Sequence, residues 1–261
     1  MSGEGSGPAD WDAGKYARVS TPQQEWSGAV IDRLPLRGDE YVLDAGCGSG
    51  NVTETLLQRL PEGRVIGVDG SPSMVEQARE RLGDDPRASF DCQNLTELEL
   101  DEPVDQVFSN ATFHWIHDHD RLFRSLARAT RPGGGLVAQC GGRGNVSEVV
   151  DALRVVNREE PFVTHLGEYE DLWNFAGPEE TEIRLVDAGY ENVECWLEER
   201  IAHPEDPRGF FEASFLAPAQ AVLPPDLFTE YTDRLLAEMG QPTSFNYVRL
   251  NMTATRRTAS E

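Results

Sequence analysis

Ten residues, Tyr41-Val42-Leu43-Asp44-Ala45-Gly46-Cys47-Gly48-Ser49-Gly50, leave the chain few ways to fold. They read as a short buried strand that ends in a glycine turn and opens directly into a helix predicted over Asn51 to Leu60. Glycines at 46, 48 and 50 let the backbone turn sharply and approach a ligand with no Cβ in the way. The helix start behind them offers free N–H groups and a partial positive charge. Such a loop suits a nucleotide-like ligand carrying a carboxylate or a phosphate.

The spacing decides between the two. A dinucleotide fingerprint, G-x-G-x-x-G, needs a third glycine at 51, where this chain has Asn51. The pattern is G-x-G-x-G with Asp44 two places before the first glycine, an anion that repels a pyrophosphate and attracts an ammonium. Hydride transfer on a nicotinamide dinucleotide is disfavoured on that ground. S-Adenosylmethionine carries an amino acid end and a sulfonium, and no phosphate.

A second strand, predicted over Arg64 to Asp69, precedes Gly70-Ser71-Pro72 and a helix over about Ser73 to Leu82. Asp69 stands at the strand's carboxyl end, where a doubly wound sheet opens its crevice, and its carboxylate can accept both hydroxyls of a ribose. Ser71 and Pro72 already supply the helix-start chemistry, which frees Asp69 for that role. Met74, one turn into the helix, fits either the adenine face or the core. The third strand, Ala88 to Cys92, leads to Asn94 and Leu95, and a fourth, Asp105 to Asn110, reaches the crevice with Asn110 at its end.

The string Val42 to Gly50 resembles motif I of the class I S-adenosylmethionine-dependent methyltransferases, and Ser109-Asn110-Ala111-Thr112-Phe113-His114-Trp115-Ile116-His117-Asp118-His119 resembles the corresponding part of the trans-aconitate methyltransferases. The resemblance covers about residues 9 to 255 and is strongest from 41 to 140. It implies an α/β fold: a Rossmann-like, seven-stranded, mostly parallel sheet with helices on both faces and helical lid insertions. It implies S-adenosylmethionine as cofactor, held by Asp44, Gly46, Cys47, Gly48, Asp69, Gly70, Met74, Asn94, Leu95 and Asn110, with Tyr16 from an N-terminal lid and Trp115. Relatives carry an acid at the Asn94 position to receive the adenine amino group, so Asn94 keeps an acceptor and loses a charge. Relatives also commonly carry Gln where this chain has His114, which makes His114 the candidate catalytic base or donor toward the methyl acceptor.

The same resemblance implies a small-molecule acceptor, with oxygen methylation of a carboxylate favoured. Arg143, in the loop after the fifth strand, is the candidate to grip that carboxylate, with Phe113 and Trp173 as further acceptor contacts. A carbon or nitrogen acceptor in specialised metabolism, or binding of S-adenosylmethionine without turnover, remains open. His114, His117 and His119 lack helical metal-ligand spacing, and no metal is expected. Asp118 reads instead as the cap of a helix over Arg121 to Thr130.

The rest of the chain adds elements and limits. A strand is predicted over Leu136 to Cys140 after a Pro-Gly-Gly turn, a helix over Val146 to Glu159, another from Pro178 to Ala188, a sixth strand over Val193 to Ile201, a helical insertion over His203 to Gly240, and a last strand over Phe245 to Thr253, which the resemblance implies pairs antiparallel between the fifth and sixth. Residues 1–10 read as a flexible start, 11–255 as one methyltransferase domain (41–140 for the cofactor, 141–255 for the acceptor), and 256–261 as a loose tail. Acidic residues number 46 against 23 basic ones, giving a net charge of −23, and the only lysine is Lys15. That balance argues against nucleic acid and anionic membranes as partners. It fits a solvated acidic surface or adaptation to high salt, and arginine in place of lysine also follows from a GC-rich genome. With no signal-like start, no long apolar run and no paired cysteines, the expectation is a cytoplasmic monomer or homodimer.

Overall fold

The computed structural model describes residues 21–166 and 172–258. Tyr16, with the expected flexible start and the last residues of the tail, lies outside them. The first described element, α1 (Thr21–Ile31), begins with Pro22 in its first turn and turns Val30 and Ile31 into the core.

Seven strands form one sheet: β1 (Tyr41–Ala45), β2 (Arg64–Asp69), β3 (Ala88–Cys92), β4 (Val104–Asn110), β5 (Thr130–Gly141), β6 (Tyr190–Ala202) and β7 (Phe245–Arg256), in the order β3-β2-β1-β4-β5-β7-β6. The first five run parallel. β7 lies antiparallel between β5 and β6, as the resemblance implies. The chain reverses direction across the sheet between β1 and β4, and the crevice for a ligand opens at their carboxyl ends.

Helices cover both faces. Val42, Val65, Phe108 and Val137 face α1 and α2 (Asn51–Arg59), and α3 (Pro72–Leu82) packs Val75 and Ala78 on the same side against Phe90. Leu43, Val107, Leu136 and Leu250 face α4 (His119–Ala129) and α7 (Pro178–Ala188). The strands alternate strictly, so Asp44, Asp69, Asn110, Gln139, Arg249 and Asn251 all project toward the α1–α3 side.

Beyond β5, α5 (Ser147–Val156), α6 (Phe162–Leu166), α8 (Pro207–Phe215), α9 (Ala217–Val222) and α10 (Pro225–Glu238) gather around their own apolar cluster. Phe210, Phe211, Phe215 and Leu216 are buried there, the stripe that their helical spacing implies. No helix among the described residues is long and apolar enough to cross a membrane.

Three strands are longer than predicted. β5 begins at Thr130 because Val104 pairs with Thr130 before a register shift resets the ladder at Gln106–Gly135, so Pro132-Gly133-Gly134 forms an irregularity inside the strand and not a turn before it. β6 starts at Tyr190, with the left-handed Asn192 (φ 51°) absorbing the shift between the Glu191 and Glu194 pairings. β7 runs on to Arg256, paired with Tyr190.

Candidate active site

The glycine loop is pinned from below. Gly46 and Cys47 both donate to the Val68 carbonyl, at 2.7 and 3.1 Å. Gly46 has φ +84°, and a Cβ there would stand 2.1 Å from Thr112 Oγ1. Gly48, at φ +52°, has open space where its Cβ would be, so the loop presents bare backbone on that side. Cys47 tucks its thiol beneath the loop, where a Cβ at Gly67 would meet Sγ at 2.9 Å. It fills space, as a small apolar residue does. Cys92 is exposed, with Sγ 3.9 Å from the Gly70 carbonyl.

Two carboxylates flank the loop. Asp44 is 1% exposed and accepts a 2.6 Å bond from the Thr53 hydroxyl on α2. Burial pushes its pKa up to about 7, against the pull of that bond, and the nearby Asp69 raises it further. Asp69 accepts from the Gly48 and Ser71 N–H groups, each at 2.9 Å and each to a different oxygen. Burial raises its pKa and these backbone donors oppose the rise. The carboxylate therefore ties the glycine loop to the start of α3, and the Gly70 N–H also helps hold its charge. Ser71 caps α3 from the Met74 N–H. Met74 itself is buried at 7%, which places its side chain in the packing on that side.

At the far edge, Asn94 is turned away from its expected task. It is exposed and its Oδ1 accepts from the Thr96 N–H and hydroxyl, both at 3.0 Å, as the cap of a short 3-10 turn (Leu95–Glu97). Leu95 buries its side chain in the main core.

At the end of β4, Asn110 Oδ1 is buried and has no hydrogen-bond partner. Leaving such an acceptor unpaired costs about 1–3 kcal/mol, so its presence at the switch point marks a place for a ligand donor. Ala111 next to it takes φ 61°, an uncommon backbone that throws the chain into the 3-10 turn Phe113–Trp115.

That turn separates the residues the sequence groups together. Phe113 is fully buried against Phe123 and cannot touch an acceptor, because the turn points it into the core between sheet and α4. His117 is exposed, and His119 is buried with Nε2 on the Phe113 carbonyl at 2.9 Å. Asp118 caps α4 as its spacing implies, accepting from Arg121 N at 2.8 Å. Among the described residues no cluster of three metal-ligating side chains forms.

His114 is 8% exposed and its Nδ1 accepts from the Gly141 N–H at 3.3 Å. Burial, then the charges of Arg249 and His119, hold its pKa well below the ordinary value for a histidine. The ring is therefore neutral, and the bond to Gly141 assigns its proton to Nε2. His114 is placed to donate a hydrogen bond, not to take a proton.

Aromatic rings extend from it. Phe175 stacks on His114 at 5.8 Å, Trp115 lies 5.2 Å away, and Trp173 meets both Trp115 (5.7 Å) and Phe175 (5.5 Å). The segment carrying Trp173 and Phe175 is strapped across the turn: Asn174 N–H bonds to the His114 carbonyl at 2.8 Å and its amide to the His117 carbonyl at 2.9 Å. Trp115 and Trp173 thus belong to one half-buried aromatic wall.

Arg143 does not join this wall. Its side chain is 57% exposed and its guanidinium reaches Glu179 and Glu180 at the start of α7, at 3.5 and 3.6 Å. Both acids stand in the first turn of α7, so the guanidinium is turned toward that helix and away from the aromatic wall.

Residues 42–134 match the family model described as a methyltransferase domain. Over those residues the chain is similar to the methyltransferase-domain family. Its core is 37% identical over 159 residues to the trans-aconitate 2-methyltransferase of Methylobacterium nodulans, covering 60% of each chain. It is 36% identical over 165 residues to that of Rhodopseudomonas palustris, covering 63% of this chain and 62% of the relative. The match therefore spans about six-tenths of the length of these relatives. Among solved structures, YcgJ of Bacillus subtilis superposes with a TM-score of 0.64 at 16% identity, over 92% of this chain and all of that one. Phosphoethanolamine N-methyltransferase 2 of Haemonchus contortus gives 0.62 at 19%, over 94% and 57%. The [4+2]-cyclase SpnF shares the fold at 0.57 and 19% over 98% and 86%, so the fold alone does not specify the reaction.

The sheet also contains a residue that sequence reasoning passes over. Arg249 on β7 is 2% exposed and lies opposite Gly141 at the carboxyl end of β5. A signal for it exists: an interior strand is buried on both faces, yet Tyr247, Arg249, Asn251 and Thr253 alternate with Val248, Leu250, Met252 and Ala254. Polar residues on one face of such a strand must form a buried network.

Proposed function

We propose that this chain is an S-adenosylmethionine-dependent methyltransferase that transfers a methyl group to a carboxylate oxygen of a small organic acid. Bound S-adenosylmethionine supplies an electrophilic methyl group on a sulfonium. The observation that carries the reading is the buried, unpartnered Asn110 Oδ1 at the switch point, one strand from the buried Asp44. An acceptor oxygen and a carboxylate suit an ammonium, and the bare backbone at Gly48 leaves room for the ligand beside them. Asp69 holds the ribose hydroxyls with its remaining lone pairs. Trp115 and the aromatic wall exclude water from the acceptor side.

The named activity of the 34–37% identical relatives supports a carboxylate acceptor over a carbon or nitrogen centre. So does His114. A carboxylate needs no base, and a neutral ring with its proton on Nε2 donates to the acceptor and orients it. Positioning of this kind accounts for roughly 7–11 kcal/mol of a barrier.

S-Adenosylhomocysteine release over a panel of unsaturated tricarboxylic acids, phenols and amines tests the proposal. Turnover confined to the carboxylates is expected; turnover confined to phenols or amines, or none with cofactor bound, would overturn it. His114→Gln, whose amide oxygen can still accept from Gly141, should keep kcat within about tenfold, whereas loss of a general base costs about 10²–10⁴. The pH–rate profile of the native protein should show no histidine limb between about pH 6 and 8.

A further inference from the structure

We infer that the hydroxyls of Ser109 and Thr112 form a clamp that sets the distance between the methyl donor and the aromatic wall. This deepens the methyltransferase reading above and rests on it. The parallel ladder between β1 and β4 has its last pair at Asp44 and Phe108, two residues before Gly46. Beyond that point side chains take over the bonding. Ser109 donates from Oγ to the Ala45 carbonyl at 2.6 Å, and Thr112 from Oγ1 to the Gly46 carbonyl at 3.3 Å. Two consecutive carbonyls leading into the glycine loop are therefore held from the end of β4.

Shape adds to the bonds. A Cβ at Gly46 would stand 2.1 Å from Thr112 Oγ1 and 2.2 Å from its Cγ2, so the Thr112 side chain lies directly against the loop backbone. The same hydroxyl is 3.3 Å from the Asn110 carbonyl, and its proton is shared between the loop and the strand end. The next turn rests on Thr112 as well, because the Thr112 carbonyl accepts from the Trp115 N–H at 2.9 Å. His114 sits inside that turn, and its carbonyl holds the segment of Trp173 and Phe175 through the Asn174 N–H. The path from glycine loop to aromatic wall is thus a run of direct contacts through Gly46, Thr112, the 113–115 turn and the 173–175 strap.

On its other side the loop is pinned to β2 through Val68 and Asp69. The donor's place is thus fixed by β2, the acceptor's by the end of β4, and the two hydroxyls join them. A shift of about 1 Å between the halves is enough to cost about 10²-fold in a transfer that needs the acceptor in line with the sulfur–methyl bond. Ser109 and Thr112 are positioning residues, acting through the backbone that cradles the donor.

The test uses Thr112→Ser, Thr112→Val and Thr112→Ala in the full chain, with two readouts. The first is steady-state kinetics with whichever acid of the panel the native protein methylates. Thr112→Ala should lower kcat roughly 10–100-fold with both KM values within about threefold, because binding is kept and alignment is lost. Thr112→Ser, which keeps the hydroxyl, should regain most of that loss, and Thr112→Val, which keeps the shape, less of it. The second readout needs no acceptor. S-Adenosylhomocysteine should slow amide hydrogen exchange in residues 46–50 and 172–176 of the native protein, and in residues 46–50 alone of Thr112→Ala. A valine variant more active than the serine variant, or a kcat within about twofold of native in Thr112→Ala, would overturn the clamp and leave methylation standing. So would strap protection that ignores S-adenosylhomocysteine in the native protein or survives Thr112→Ala unchanged. Absence of turnover in the native protein would overturn the methylation reading, with the exchange result still deciding the clamp.

Discussion

Asp69→Ala is expected to weaken S-adenosylmethionine binding by roughly two to four powers of ten, the loss of two charge-assisted hydrogen bonds at about 1.5–3 kcal/mol each. The structure adds a second reason for a large effect. Each Asp69 oxygen already accepts a backbone N–H, from Gly48 and from Ser71, so the same substitution frees the glycine loop from the start of α3. Asp69→Asn separates the two contributions. Its amide oxygen can keep one of the backbone bonds while its nitrogen cannot accept the other, so the expected loss lies between native and alanine. Isothermal titration with S-adenosylhomocysteine reads both. An alanine variant that binds within threefold of native would remove Asp69 from the ribose site.

Asp44→Asn is expected to stabilise the protein without cofactor and to erase the stabilisation that cofactor gives. The Asp44 carboxyl titrates near 7 in the fold against an ordinary 3.8. The folded state therefore holds a proton that the unfolded state has lost, and the favourable contribution present below about pH 4 disappears as pH rises through 7. A shift of about three units corresponds to roughly 4 kcal/mol of lost stability above neutrality. Asparagine keeps an acceptor for the Thr53 hydroxyl and carries no charge to bury. Its melting temperature should exceed the native value at pH 8 by several degrees and match it near pH 4, since about 1 kcal/mol moves a chain of this size by roughly 2–4 °C. With S-adenosylmethionine added at pH 8, the native protein should gain and the variant should not. A variant that melts lower than native at pH 8, or still responds to cofactor, would contradict the role given to this buried acid.

The glycine-loop half of the sheet was legible in the sequence because its signals are local. A glycine loop, an acid two residues before it and an acid at the end of the next strand each act within a few residues of backbone, and Asp44, Gly46, Gly48 and Asp69 stand around one crevice. Asn94 misled because a side chain that ends a strand can cap the following turn, a local competitor that spacing does not reveal. Phe113 misled because Ala111 adopts a left-handed backbone and rotates the turn after it. Arg143 misled because its partners lie some 36 residues further along, at the first turn of α7. Arg249 was missed for the same reason in reverse: it acquires its place only from the pairing of β7 with β5, across a separation of more than a hundred residues.

The position of β7 also bears on the order in which the protein is made. β6 pairs only with β7 in the sheet, and β7 is synthesised after it. As the chain leaves the ribosome, β1 to β5 can assemble into a parallel sheet with its glycine loop in place, while β6 waits without a neighbour until residues 245–256 emerge. A nascent chain halted before residue 245 would lack Arg249 and the strand that lies between β5 and β6. The sheet is thus completed in two stages during translation, the parallel strands first.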